Sequence, residues 1–176
     1  MDVVFIVEED SCHGNLVRDI DTTVRLIDKE LLNAGYVGNR FGLIGFGHKS
    51  GMNSQPHIRT ARDNIFFASQ DMILAAEKIR LDSVISQRPS KRDIFAAIAY
   101  AVNMPYRAGA SKSIVLMTCS DCSEEDSHLS YSDIQRTLLE RGITLHLVAD
   151  KPIKVRKSAI KGKGIYGGFL CTSDRF

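Results

Sequence analysis

The sequence has no apolar run long enough to span a bilayer, no large excess of one charge, no internal repeat and no domain linker. A membrane-spanning helix needs about 20 mostly apolar residues, so the chain is expected not to be transmembrane. A net charge of +2 over 176 residues leaves no electrostatic footprint for nucleic acid. The first residues are not expected to act as a signal peptide. Asp2 is acidic, and the apolar run from Val3 to Val7 is too short for a signal-peptide core. The chain begins directly in a strand, as expected of one domain, residues 1–176, excised from a longer protein. No Asn-x-Ser/Thr sequon occurs, which is neutral as to compartment. Cysteine is limited to Cys12, Cys119, Cys122 and Cys171, an even count that permits disulfides without requiring them. What is present is a globular balance, 44% hydrophobic and 25% charged, in a chain long enough for one core.

Hydrophobic periodicity orders the chain. Asp2 to Val7 is short, β-branched and apolar, the pattern of a buried strand. After the loop 8–14, Asn15 is placed to cap a helix, and Leu16, Ile20, Val24, Ile27 and Leu31 recur on one helical face, ended by Gly35 and Gly38. Phe41 to Phe46 predicts a second strand. Residues 57–67 hold short strand-like pieces, best at Asn64 to Phe67. Met72, Ala75, Ala76 and Ile79 mark a helix, and Ile94, Ala97, Ile98, Ala101 and Val102 mark another, stopped by Pro105. Ser113 to Thr118 carries the strongest central-strand pattern. Ile134, Leu138 and Leu139 predict a short helix, and Ile143 to Ala149 and Ile165 to Leu170 two more strands. Alternating strands and helices predict an α/β domain: a doubly wound, mostly parallel six-stranded sheet with helices on both faces and an edge strand near 57–67. Sites in such sheets lie beyond the carboxyl ends of the strands, where loops 8–14, 88–93 and 119–128 should meet.

DVVFIVEEDSCHGNL resembles the first strand and loop of von Willebrand factor A domains, usually D-hydrophobic-D-x-S-x-S. RFGLIGFG is similar to that family's second strand, RDIFAAIAYAV to its TGxAL helix and KSIVLMTCSD to its VLITDG strand. The resemblance spans nearly the whole chain. It implies an A-like, Rossmann-like fold and a non-enzymatic, extracellular protein-recognition module. The family holds a divalent cation with an Asp and two Ser of the first loop, a Thr of the helix loop and an Asp after the central strand. Carried onto this sequence, the first Asp falls on Glu8, the two Ser on Asp10 and Cys12, the Thr near Ser90 to Arg92, and the last Asp on Cys119. The oxygen set is broken and the cationic Lys91-Arg92 pair lies close by. Octahedral Mg²⁺ demands near-ideal oxygen geometry, so the resemblance implies a degenerate site and no cofactor. An A-like domain that still binds Mg²⁺ through Glu8, Asp10 and Asp121 is the alternative.

The same resemblance makes the first and central strands neighbours, which places Cys12 and Cys119 at one sheet edge. A Cys12–Cys119 or Cys12–Cys122 bond would staple loops that a cation ties elsewhere. It would close about a hundred residues, worth roughly 4–5 kcal/mol in the chain-entropy account. Cys119 closing on Cys122, and four free thiols, are the other arrangements. PYRAGASKSIVL, the CSDC loop, LSYSDIQRTLLERGITLHL and GIYGGF are similar to the A-like segment of large arthropod lipid-carrying apolipoproteins, the apolipophorin and lipid-transfer-particle kind. That likeness implies a secreted parent lipoprotein, in which this module docks a protein partner and other domains hold the lipid.

One enzymatic motif competes. Cys12 to Arg18 fits C-x5-R, the phosphate loop of low-molecular-weight tyrosine phosphatases, between a strand and a helix where amides cradle an anion. Glu8, Glu9 and Asp10 oppose it, because they raise a thiol's pKa and repel a phosphate dianion. No Asp-Pro pair supplies a general acid. Gly162 to Gly167 fits GxGxxG without the flanking strand and helix that give the motif meaning. The five histidines show no ligand spacing. Lys151, Lys154, Arg156, Lys157, Lys161 and Lys163 form a basic run with no acid between them, read either as a solvated loop or as a contact for anionic lipid head groups or an acidic partner.

Overall fold

The computed structural model describes residues 1–9, 19–47, 55–83, 94–118, 122–123, 129–148 and 155–156. Strand β1 (Asp2–Glu8) is wholly buried, and its alternation feeds two separate cores. Val3, Phe5 and Val7 pack with Ile20, Val24, Phe41, Leu43, Met72, Ala75 and Ala76. Val4 and Ile6 pack on the other side with Ile44, Phe46, Ile98, Ile114, Leu116 and Ile134. Residues two apart on a strand share a face. A strand that is apolar at every position from Val3 to Val7 must therefore be covered on both faces. Helices α1 (Ile20–Asn33) and α2 (Met72–Ser83) supply one cover. Helices α3 (Ile94–Val102) and α4 (Tyr131–Arg141) supply the other.

The main sheet is mixed and five-stranded, in the order β3-β2-β1-β4-β6. Strands β2 (Arg40–Phe46), β4 (Lys112–Met117) and β6 (Ile143–Val148) run parallel with β1, in a register that sets Val4 beside Gly42 and Ile114, and Ile114 beside Leu145. The edge strand β3 (His57–Arg59) is antiparallel, with Ile58 opposite Ile44. A second, two-stranded parallel pair joins β5 (Cys122–Ser123) to β7 (Val155–Arg156). Six strands were expected in the main sheet; the sixth, at Ile165 to Leu170, falls outside the described residues.

The boundaries correct several expectations. Helix α1 starts at Ile20 with Asp19 at its N-cap, while the Asn15 cap and Leu16 fall outside the described residues. The strand near 57–67 forms at His57–Arg59 and not at Asn64 to Phe67, where Phe67 makes a single bridge to Phe41. Residues 61–64 are spent on a tight turn, with Ala61 and Asn64 exchanging both backbone hydrogen bonds. Leu139, one of the three apolar residues that mark α4 in the sequence, is 74% exposed. Ile134 and Leu138, four apart, already fill the contact, and Leu139 points a further 100° round the helix. Both ends of α4 follow local chemistry. Ser130 and Asp133 form a reciprocal capping box, and Gly142 closes the helix at φ 61°, which glycine adopts without a Cβ penalty.

At the amino ends of the strands, Asp2 is fully buried and clamped. Its Oδ1 accepts from Arg107 Nη2 at 2.6 Å, and its Oδ2 from Arg40 Nη2 at 2.7 Å and from the Arg107 backbone N–H at 2.8 Å. Burial alone would raise this carboxyl, but the hydrogen bonds from Arg40 and Arg107 outweigh it and hold Asp2 down at about 2. The gap from the ordinary 3.8 corresponds to at most about 2 kcal/mol, because both guanidinium groups stand partly in water, where such pairs are screened. A depressed carboxylate stabilises above its unfolded pKa and loses that contribution as pH falls through its folded value. Urea unfolding should therefore show Asp2→Asn less stable than the wild type by up to about 2 kcal/mol at neutral pH. The difference should shrink between about pH 4 and pH 2; a gap that stays constant down to pH 2 would remove the clamp as its cause.

Candidate functional site

The carboxyl ends of β1, β2 and β4 bring together a group of buried polar side chains. Glu8, the last residue of β1, and Thr118, just past β4, are both fully buried. Thr118 Oγ1 donates to Glu8 Oε2 at 2.6 Å. Glu9 follows on the opposite face, its backbone N–H held by Phe46 O at 2.7 Å. Its carboxylate is buried as well, and it is compensated from the edge strand. Arg59 donates to Glu9 Oε1 through Nε at 3.1 Å and Nη2 at 2.9 Å. His57 Nε2 stands 3.1 Å from the same oxygen. Glu9 Oε2 is buried and has no hydrogen-bond partner among the described residues.

His57 and Arg59 are two apart on β3 and therefore share the face that meets Glu9. The space they converge on exists because residue 45, opposite His57 in β2, is glycine. A Cβ there would fall on Glu9 Oε1 and come within 2.9 Å of His57 Nε2. Burial pushes the His57 imidazole down, but its hydrogen bond to Glu9 and the charge of Glu9 outweigh that and raise it above its ordinary value. Beside this group, Gln55, Pro56 and Ile58 form one wall of an apolar groove of about 540 Å³, and Ala96, Ala99 and Tyr100 of α3 line the other.

Of the positions where the A-domain family keeps its cation ligands, only Glu8 is described. Asp10, Cys12, Ser90, Arg92, Cys119 and Asp121 lie outside the described residues, as do Cys171 and Arg18 of the C-x5-R motif. The disulfide and phosphatase expectations centred on Cys12 therefore stay at the level of sequence. In the basic run, Lys151, Lys154, Lys157, Lys161 and Lys163 likewise lie outside. The backbone of Arg156 in β7 pairs with that of Ser123 in β5, beside Cys122. Cys122–Ser123 and Val155–Arg156 are thus adjacent in space.

Sequence reasoning missed the Glu9–Arg59–His57 group. Glu9 was read only as a charge crowding Cys12, and His57 was passed over for want of ligand spacing. The available signal was Gly45, because a glycine inside a strand marks a close approach by another group.

No protein-family model and no curated protein matches the chain. Solved structures do. BatB, a conserved hypothetical protein from Bacteroides thetaiotaomicron, superposes with a TM-score of 0.54 at 13% identity, over 84% of this chain and 65% of its own. Proximal thread matrix protein 1 from the mussel byssus gives 0.52 at 16%, over 84% and 35%. A von Willebrand factor type A protein from Catenulispora acidiphila gives 0.52 at 12%, over 88% and 34%. The fold is von Willebrand A-like. At these identities the likeness carries the architecture alone, and this chain spans under two thirds of each of the three neighbours. The Glu8–Thr118 contact lies at the carboxyl ends of β1 and β4, the end of an open α/β sheet where sites lie. No helix among the described residues is long and apolar enough to cross a membrane.

Proposed function

We propose that this chain is a non-enzymatic protein-recognition module, an A-like domain whose cation site is degenerate. It is one domain, residues 1–176, of a large secreted lipid-transport protein. The observation that carries the reading is the state of Glu8. It occupies the position of the family's first cation ligand, yet its carboxylate is fully buried and accepts the Thr118 hydroxyl at 2.6 Å. A hydroxyl proton directed at that oxygen competes with a cation for the same lone pairs. The rest of the donor set also fits poorly: a cysteine stands at 12 and another at 119, and Lys91 and Arg92 put positive charge beside Ser90, near which the hydroxyl ligand is expected. The residues do not fit octahedral Mg²⁺.

The wider likeness to arthropod lipid-carrying apolipoproteins supports secretion and a docking role beside a lipoprotein surface. The basic run from Lys151 to Lys163 supplies charge for an acidic partner or for anionic head groups. Catalysis by Cys12 is disfavoured because two buried carboxylates, Glu8 and Glu9, end the strand that leads into its loop.

Calorimetric titration with Mg²⁺ and Mn²⁺ tests the central claim. Binding weaker than millimolar is expected for both ions. A dissociation constant well below millimolar, abolished in Glu8→Ala, would restore a working cation site and overturn the reading.

A further inference from the structure

The His57 ring is engaged at both nitrogens. Nε2 faces Glu9 Oε1 at 3.1 Å and Nδ1 faces the Gln55 carbonyl oxygen at 3.1 Å. A carbonyl only accepts. Oε1 already takes two N–H bonds from Arg59, so a proton on that oxygen would face two donors. Both neighbours therefore call for an N–H, and only the imidazolium supplies two. A neutral ring leaves one lone pair directed at an acceptor.

The ring also sits where its charge state matters mechanically. His57 opens the edge strand β3, which is three residues long and pairs with β2 alone in the main sheet. Two side chains of β3, His57 and Arg59, tie it to the carboxyl end of β1 through Glu9. Among the described residues, the charged groups facing the imidazole are Glu9 from the end of β1 and Arg59 from β3 itself, and β2 presents Gly45. The side chain is 27% exposed, so protons exchange with solvent.

We propose that His57 is a protonation-dependent clasp. As imidazolium it bridges Glu9 and Gln55 and fastens β3 to the sheet; when it loses its proton the edge strand loosens. Because Gln55, Pro56 and Ile58 form one wall of the groove against α3, the clasp also sets the shape of that groove. The device works whatever the domain binds.

The sign follows from the contacts. A histidine raised in the folded state contributes fully below its ordinary value near 6.5, and that contribution is lost as pH rises through the higher folded value. The direction and the geometry agree.

The experiment combines an NMR titration of the imidazole resonances with amide hydrogen exchange, both from about pH 6 to about pH 9 and corrected for intrinsic exchange. His57, assigned by its absence in His57→Gln, is expected to titrate above 6.5. Opening of the β2–β3 ladder should increase on the order of tenfold across that titration, the loss of one charge-assisted hydrogen bond, while the β1–β4 ladder holds. In His57→Gln the β2–β3 opening should no longer depend on pH. A midpoint at or below 6.5, a β2–β3 opening that stays flat, or the same pH dependence in His57→Gln overturns the clasp. If His57→Gln does not fold, the wild-type midpoint, assigned through contacts to Gly45, and the comparison of the two ladders decide.

Discussion

Arg59→Leu is expected to destabilise the domain by about 3–5 kcal/mol, the range found when one partner of a buried ion pair is removed. The loss comes mainly from what is left behind. Glu9 is buried, and its Oε1 takes two N–H bonds from Arg59, while its Oε2 has no partner among the described residues to share the charge. Without the guanidinium, the remaining donor to the carboxylate among the described residues is His57, which is itself titratable. Leucine restores the volume of the stem but none of the compensation. A double-mutant cycle in chemical denaturation separates the two effects. Glu9→Gln combined with Arg59→Leu should be clearly more stable than the sum of the single losses implies, because the buried charge is gone. Additive losses would mean that the two residues contribute independently and that the pair is not the source of stability.

Gly45→Ala is the second large effect, expected at about 3 kcal/mol from overpacking together with a displaced carboxylate. Glycine is needed here for space, since the added methyl would occupy the position of Glu9 Oε1 and press on His57 Nε2. The atoms it meets are side-chain ends, which normally yield, but a buried carboxylate bound by Arg59 has nowhere solvated to go. The prediction separates site from scaffold through Gly42, three residues earlier in the same strand. There an added Cβ would meet the flexible end of Met104, so Gly42→Ala should cost clearly less. Equal losses at the two positions would show that strand packing in general, and not the Glu9 site, governs residue 45.

Most of the scaffold was legible from periodicity. Strand β1 has apolar residues at every position from Val3 to Val7, so both faces had to be covered, and the helices that cover it carried their own 3.6-residue pattern. Helix α4 was marked in the sequence by Ile134, Leu138 and Leu139 but not by its caps, although Ser130, Asp133 and Gly142 act on their own backbone and need no distant partner. The edge strand was harder. Residues 57–59 and 64–67 both have strand-like composition, and the choice between them was made by register against β2, where three residues of 57–59 pair in a ladder and Phe67 makes one isolated bridge to Phe41. Composition carries no register.

The functional end of the sheet divides in the same way. Glu8 could be named because the resemblance to A domains implies a ligand at a fixed offset from the end of the first strand. The resemblance to A domains supplied the remaining positions by the same counting. Glu9, His57 and Arg59 could not be joined by counting, because 48 and 50 residues separate the acid from its partners. The amino-terminal clamp is similar: Asp2 and Arg107 lie 105 residues apart. By itself the sequence determined the central strands, the helices that cover them and which faces are apolar, since these depend on neighbours within a few residues. Only the tertiary structure decided which charges meet. A buried carboxylate is tolerable only beside its donor, and that proximity is fixed by strand order and register rather than by any local pattern.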